Sequence, residues 1–361
     1  MDRKPRILFV SGDIGGAKVQ LPVYKKLGDV DISVVTDASP TGKAGMVWEK
    51  ACIPHTPMLP SAEFEDVVRE ADLVFVGSCA TTYAAEKFAV DCANRNQIFS
   101  VVGSDMWPNH WRDANPDFWL AIDEVHQKDI LSRRPNWNKE RVPVLGQPSF
   151  DYLVKLMENR DSVRREMRAS LGLSENEKVL LFWSLGDHRE RCNDAVVALL
   201  STLGNRWARN LVLIPRLHPK LKKVVSKEYF EFLHEMIASH ATIHGVRVVR
   251  ADSANPEQLG LAADLVMTPW GTEGIKSAIM GVPTVNTLLE SHRFAMENEM
   301  EQPFPYLPTV GCGIAQLATE IADIPRSIDT AIKSSKNLNH PMMPRGDSAK
   351  RTAEFLINLV F

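Results

Sequence analysis

The chain has 361 residues, 44% of them hydrophobic and 24% charged, with a formal net charge of −3. That length exceeds what one hydrophobic core fills, so two domains are expected, and the near-neutral charge leaves no global footprint for nucleic acid or an anionic membrane. No apolar run is long enough to span a bilayer, and MDRKPRILFV leads into a strand without a signal-peptide core. A cytoplasmic protein with at most peripheral membrane contact is expected.

In chain order, apolar runs predict strands at Arg6–Ser11, Asp31–Thr36, Leu73–Gly77, Ile98–Gly103, Trp119–Ile122 and Val142–Leu145, with helices near Val19–Leu27, Phe64–Glu70, Tyr83–Asn94 and Glu124–Ser132. A charged helix over Val163–Ser170 follows GQPSFDYL. The second series predicts strands at Lys178–Trp183, Asn210–Pro215, Arg247–Arg250, Leu265–Thr268 and Pro283–Asn286. Its helices fall near Asn193–Arg206, Tyr229–Ser239, Pro256–Ala262 and Thr272–Met280. This alternation is the pattern of α/β folds, and each half supplies enough strands for its own sheet. The architecture expected is two Rossmann-like, doubly wound parallel-sheet domains facing a cleft. The expected division is 1–150, then 151–345, with 346–361 a helix that packs back on the first domain.

The stretch ADLVMTPWGTEGIKSAIMGVPTV carries the most functional information. It reads as strand, small-residue turn, helix, strand, and open α/β sheets bind ligands at such a carboxyl-terminal turn. The start of the helix offers free N–H groups and the positive end of its dipole, which suits a phosphate. Arg216-Leu217-His218-Pro219 ends another strand, with Arg216 and His218 on one side by alternation. An arginine and a histidine so placed can hold or protonate a phosphate; a structural histidine is the alternative. Gly12-Asp13-Ile14-Gly15-Gly16 follows the first strand but is not a G-x-G-x-x-G fingerprint, and a plain strand-to-helix turn is its alternative. No H-E-x-x-H motif or Cys/His cluster has ligand spacing, so neither metal nor cofactor is expected. The five cysteines, Cys52, Cys79, Cys92, Cys192 and Cys312, read as reduced thiols. Lys220-Leu221-Lys222-Lys223 and Arg164-Arg165 read as solvated helix faces.

This layout resembles the GT-B glycosyltransferase superfamily, which also holds the non-hydrolysing UDP-N-acetylglucosamine 2-epimerases. SGDIGGA resembles the Gly-rich first loop of lipid-A-disaccharide synthase. VLGQPSFDYL looks like the interdomain GxPxxD segment of those families, and RLHPK like the HP motif of bacterial sialyltransferases and CDP-glycerol glycerophosphotransferases. WGTEGIKSAIMGVP matches the pattern GT-x-x-x-E-A-x-x-x-G-x-P at the glycines, threonine and proline. SVVGSDMWPNHW followed by PDFWLAIDE also resembles N-terminal domains of polysaccharide-synthesis transferases.

The resemblance implies a nucleotide-sugar donor as co-substrate on the second domain and a glycan, lipid-linked or small-molecule acceptor on the first. It implies donor nucleotide or phosphate contacts at His218, Arg216, Arg189, Gly271, Thr272, Glu273 and Lys276, with Glu273 placed to reach a ribose or sugar hydroxyl and Arg189 in the loop Ser184–Arg189 that relatives turn toward the diphosphate. On the acceptor side it implies Gly12, Gly15, Gly16 and Trp107. An inverting transfer needs a base for the acceptor hydroxyl, and Asp105, Asp13 and His110 are the candidate catalytic residues, in that order. Asp105 and His110 sit beside Trp107 and Trp111, and aromatic faces suit a sugar; Asp105 as a helix cap is the alternative. One departure stands out. Where many GT-B enzymes carry a glutamate that holds the donor ribose, this chain has Lys276, with Glu273 one turn earlier. An acidic donor or a nonstandard ribose contact would each account for that lysine. The competing functions are a nucleotide-sugar 2-epimerase, a non-enzymatic binding protein of the same fold, and a transferase that modifies nucleic acid, the last weakened by the charge.

Overall fold

A computed structural model describes residues 3–78, 84–107, 114–184, 210–218, 226–290, 293, 307–334 and 340–361. The chain folds as two compact units, Met1–Lys155 with Pro344–Phe361, and Leu156–Met343.

In unit 1 the elements run β1 (Arg6–Ser11), α1 (Ile14–Tyr24), β2 (Asp31–Asp37), α2 (Gly45–Lys50), β3 (Thr56–Met58), α3 (Ala62–Arg69), β4 (Leu73–Gly77), α4 (Ala84–Arg95), β5 (Phe99–Gly103), β6 (Phe118–Leu120) and α5 (Glu124–Arg133). α6 (Asp151–Glu158) crosses the unit boundary. The six strands form one parallel sheet in the order β3-β2-β1-β4-β5-β6. Helices cover both faces, so β1 is apolar from Ile7 to Val10 and β4 from Leu73 to Val76: Ile7 and Phe9 join one core, Leu8 and Val10 the other. The sequence-expected strand at Val142–Leu145 is only a single bridge from Val144 to Ala121, because Pro143 has no N–H to extend a ladder. Its place in the count is taken by β3, a three-residue edge strand too short to leave a periodic signal. The C-terminal helix Ser348–Val360 lies in unit 1, where its Ala353 and Leu356 join the core that holds Phe9 and Trp48. The Asp151 carboxylate caps it, accepting from the amides of Ser348 (3.0 Å) and Ala349 (2.8 Å).

Unit 2 runs α7 (Arg160–Ser170), β7 (Lys178–Trp183), β8 (Leu211–Arg216), α8 (Lys227–Ile243), β9 (Arg247–Val248), α9 (Pro256–Ala262), β10 (Leu265–Thr268), α10 (Thr272–Ile279), β11 (Thr284–Thr287), α11 (Pro308–Gly311), β12 (Gln316–Ala318) and α12 (Ile324–Ser334). Its sheet is also parallel, in the order β12-β11-β10-β7-β8-β9. The helix expected over Asn193–Arg206 lies outside the described residues. β12 and α12 escape the sequence reading, β12 again being a three-residue edge strand.

α7 corrects one expectation. Arg164 is not a solvated face: its Nη1 donates to the carbonyls of Leu261, Ala262 and Ala263, and its Nη2 to Asp264 at 2.9 Å. Buried Arg168 donates to the Ala262, Ser174 and Glu177 carbonyls, and Arg160 to that of Met280. Spaced four residues apart, these arginines lie along one stripe of the helix and cap the carboxyl ends of α9 and α10.

Candidate functional site

In each unit the strand order reverses beside the first strand, between β1 and β4 in unit 1 and between β7 and β10 in unit 2. The carboxyl edge at such a switch point is where open α/β sheets leave a crevice. The residues singled out in the sequence collect there.

In unit 1, Asp13 follows β1 and caps α1, its Oδ1 accepting from the Gly16 amide at 3.0 Å. Ser78 follows β4 and Asp105 follows β5. The Ser78 hydroxyl donates to Asp105 Oδ1 (2.8 Å) and accepts from the Asp105 amide (2.9 Å). Gln147 Nε2 donates to the Ser104 and Asp105 carbonyls at 2.9 and 2.7 Å, which fixes the backbone under the carboxyl group. The Asp105 side chain lies against Gly15, where any Cβ would overlap its Oδ2 and come within 3.3 Å of Asp13 Oδ1. Gly15 is therefore the gap that brings the two carboxyl groups together. Gly16 and Gly77 meet backbone to backbone: a Cβ on Gly77 would stand 2.6 Å from the Gly16 Cα. Burial, with Asp13 as the next contributor, pushes the Asp105 carboxyl up to about 7, against the pull of Ser78.

The sequence reading missed Ser78 and Glu86. Glu86, in the first turn of α4, is fully buried; its Oε1 accepts from the Gly12 amide, and burial pushes it up to about 8. The Gly12 carbonyl accepts from the Lys43 (2.8 Å) and Ala44 (3.2 Å) amides, so both backbone groups of that loop residue are tied. Trp107 departs from expectation. It is 2% exposed, its indole Nε1 donates to Asp123 at 2.7 Å, and its ring leans on Phe150. A ring so enclosed anchors the loop and presents no face to a sugar. His110 and Trp111 lie outside the described residues.

In unit 2, Ser184 and His218 follow β7 and β8, and the Ser184 hydroxyl accepts from the His218 amide at 2.8 Å. Gly271 precedes α10 with φ +131°, a conformation that favours glycine, and as the N-cap residue it has no side chain to cap the helix. The first turn of α10, from Thr272 onward, therefore begins without a side-chain cap from that position. Two expected phosphate contacts have other work. Arg216 stacks on Trp183, and its Nη1 donates to the carbonyls of Ala251 and Ala254, so it clamps the loop before α9. Burial lowers its pKa, with Asp252 and Glu273 pulling the other way. Lys276 is held between Glu257 Oε1 (2.6 Å) and Glu273 Oε1 (3.0 Å), with side-chain exposures of 9%, 12% and 31% for the three. Burial works against its charge, and the two carboxylates outweigh burial to hold its pKa above the ordinary lysine value. Its charge is therefore already met, which removes the argument for an acidic donor. Glu257, on a different helix, was the missing partner. Arg189 lies outside the described residues.

Neither a protein-family model nor a curated protein sequence matches the chain. Solved structures do. The UDP-GlcNAc 2-epimerase of Neisseria meningitidis bound to UDP-GlcNAc is 16% identical over 98% of this chain and 100% of its own, with a TM-score of 0.63. That of Methanocaldococcus jannaschii, in complex with UDP-GlcNAc and UDP, is 15% identical over 98% and 99%, with a TM-score of 0.65. The wall teichoic acid polymerase TagF is 14% identical over 99% and 89%, with a TM-score of 0.56. The two parallel sheets are thus those of the GT-B fold. Within it the solved neighbours are enzymes, epimerases and a polymerase, at identities that show fold alone.

Proposed function

We propose that the chain is a glycosyltransferase that moves a sugar from a nucleotide-activated donor to a hydroxyl acceptor, without a metal and with inversion. Unit 2 takes the donor, its phosphates met by the amides that open α10 and by His218. Glu257 and Glu273, both acceptors once Lys276 is accounted for, suit donor hydroxyl groups. Unit 1 takes the acceptor. The observation that carries this reading is Asp105, held by Ser78 beside Asp13 and pushed up to about 7. At that value it ionises near neutrality and still takes a proton readily. The acceptor hydroxyl gives its proton to Asp105 as its oxygen bonds to the anomeric carbon; the bond from that carbon to the phosphate breaks, and the nucleotide leaves with the electron pair.

A second reading has its own support. A nucleotide-sugar epimerase needs ionisable groups around the sugar, and Asp13 and Asp105 supply two side by side; the epimerases among the solved neighbours share the fold. Thermal shifts with UDP-, GDP-, TDP-, CMP- and CDP-sugars, on the wild type and His218→Ala, test both. A donor should raise the melting temperature, less in the variant. Absence of any shift at millimolar nucleotide overturns both readings, and an isomerised donor formed without acceptor selects the epimerase.

A further inference from the structure

Glu86 has a local signal indistinguishable from any polar position on an amphipathic helix, yet its side chain is 0% exposed. Its Oε1 accepts from the Gly12 amide, while Oε2, equally buried, has no hydrogen-bond partner among the described residues. An ionised carboxylate in that position would leave an oxygen desolvated and unmatched, a cost of several kcal/mol at the order-of-magnitude level. The charged groups that bear on it add to the cost: Asp13 from the loop after β1 and Asp37 from the end of β2. The Glu86 and Gly12 amides pull the other way, but among the described residues no charged side chain compensates. β4 and β5 carry no charged residue, and Arg6 stands at the opposite end of β1. The α3 charges Glu65, Asp66 and Arg69 are engaged in surface pairs, and Glu63 is exposed. On α4 itself Lys87 pairs with Asp91.

We propose that Glu86 is a positioning residue: as a neutral carboxylic acid it stays buried beneath the Gly12–Asp13 loop, and on ionising its unmatched Oε2 draws water into that site, which loosens the loop and disturbs the Asp13–Asp105 pair although the Gly12 amide itself favours the charged form. The loop carries the Gly15 gap through which those two carboxyl groups meet, so its displacement alters the pair without Glu86 touching a substrate. Raising the pH thus loosens the acid edge of unit 1 from beneath. The inference deepens the proposed site but is tested on the ligand-free chain, so it fails or holds independently of the reaction.

The full chain, Glu86→Gln and Glu86→Ala are compared from about pH 5 to about pH 9 by melting temperature, infrared spectroscopy and amide exchange. Gln keeps the acceptor for the Gly12 amide and cannot ionise. Glu86 keeps its proton in the folded chain up to about 8, above the 4.5 of an ordinary glutamate, so the unfolded chain loses that proton first. Wild-type melting temperature should therefore fall relative to the Gln variant across that interval and then run parallel to it. With glutamate carboxyls isotope-labelled, a protonated-carboxyl band should persist at neutral pH in the wild type, vanish near pH 8, and be absent in the Gln variant. Exchange at Gly12 to Gly16, corrected for intrinsic rates, should quicken over the same range only in the wild type. Parallel melting curves throughout, or no labelled protonated carboxyl at neutral pH, overturns the proposal. Should Glu86→Gln fail to fold, the labelled wild-type band alone decides.

Discussion

The two switch points have the same topology and opposite electrostatics. In unit 1, Asp13 and Asp37 bear on Glu86 and Asp13 on Asp105, and burial pushes Glu86 and Asp105 up toward neutrality. In unit 2, charge is cancelled: Lys276 lies between Glu257 and Glu273, and Arg216 feels Asp252 and Glu273. The same sheet order therefore carries an edge of raised carboxyl groups in one unit and a charge-balanced edge in the other. Side chains on the loops, not the strands, make the difference.

The largest effects should come from the acid edge. Asp105→Asn keeps the shape but removes the base, and the rate of transfer or epimerisation should fall by about 10²–10⁴-fold. Gly15→Ala should approach the same loss by driving a methyl group into the Asp105 carboxyl. Steady-state kinetics alongside circular dichroism check both, and retained activity in Asp105→Asn would remove unit 1's assigned role.

Breaking the balance in unit 2 comes next. Lys276→Met leaves two partly buried carboxylates facing each other and should cost about 3–5 kcal/mol in a urea melt. Adding Glu257→Gln should recover part of that loss. Equal stability of Lys276→Met and the wild type would mean that the cluster is solvated and the contrast between the units false.

Ser78→Ala sharpens the comparison through pH. Asp105 must be ionised to act, so activity should rise as pH passes about 7. Ser78 favours the ionised form, and removing a hydrogen bond to a charged group forfeits about 1.5–3 kcal/mol. The acidic limb of the rate profile should then move up by about one to two pH units. An unmoved limb would assign it to another group. The smallest effect is expected at Arg164→Ala, which strips the cap from α9 and should cost about 1 kcal/mol without altering nucleotide binding.

How far the sequence reaches depends on what each residue needs. β1, β4, β7, β8 and β10 are continuous apolar runs because both faces of their sheets are covered, and such runs are visible locally. β3 and β12, three residues each at the sheet edges, give no such pattern. Asp13 and Asp105 were legible as residues that end strands, although their meeting across Gly15 was not. Arg216 and Lys276 look free in the sequence because a cation's partners are not visible in its motif. Those partners, the Ala251 and Ala254 carbonyls and the Glu257 carboxylate, come from the next turn of the fold.

The sequence by itself determined two parallel α/β sheets and the loops that follow their strands, since apolar periodicity and strand-ending glycines act over a few residues. The tertiary structure alone decided which charges are spent and which are strained. Burial and pairing are set by residues far apart in the chain, and Glu86, an unremarked helix position, becomes a buried acid only when α4 packs beneath the Gly12 loop.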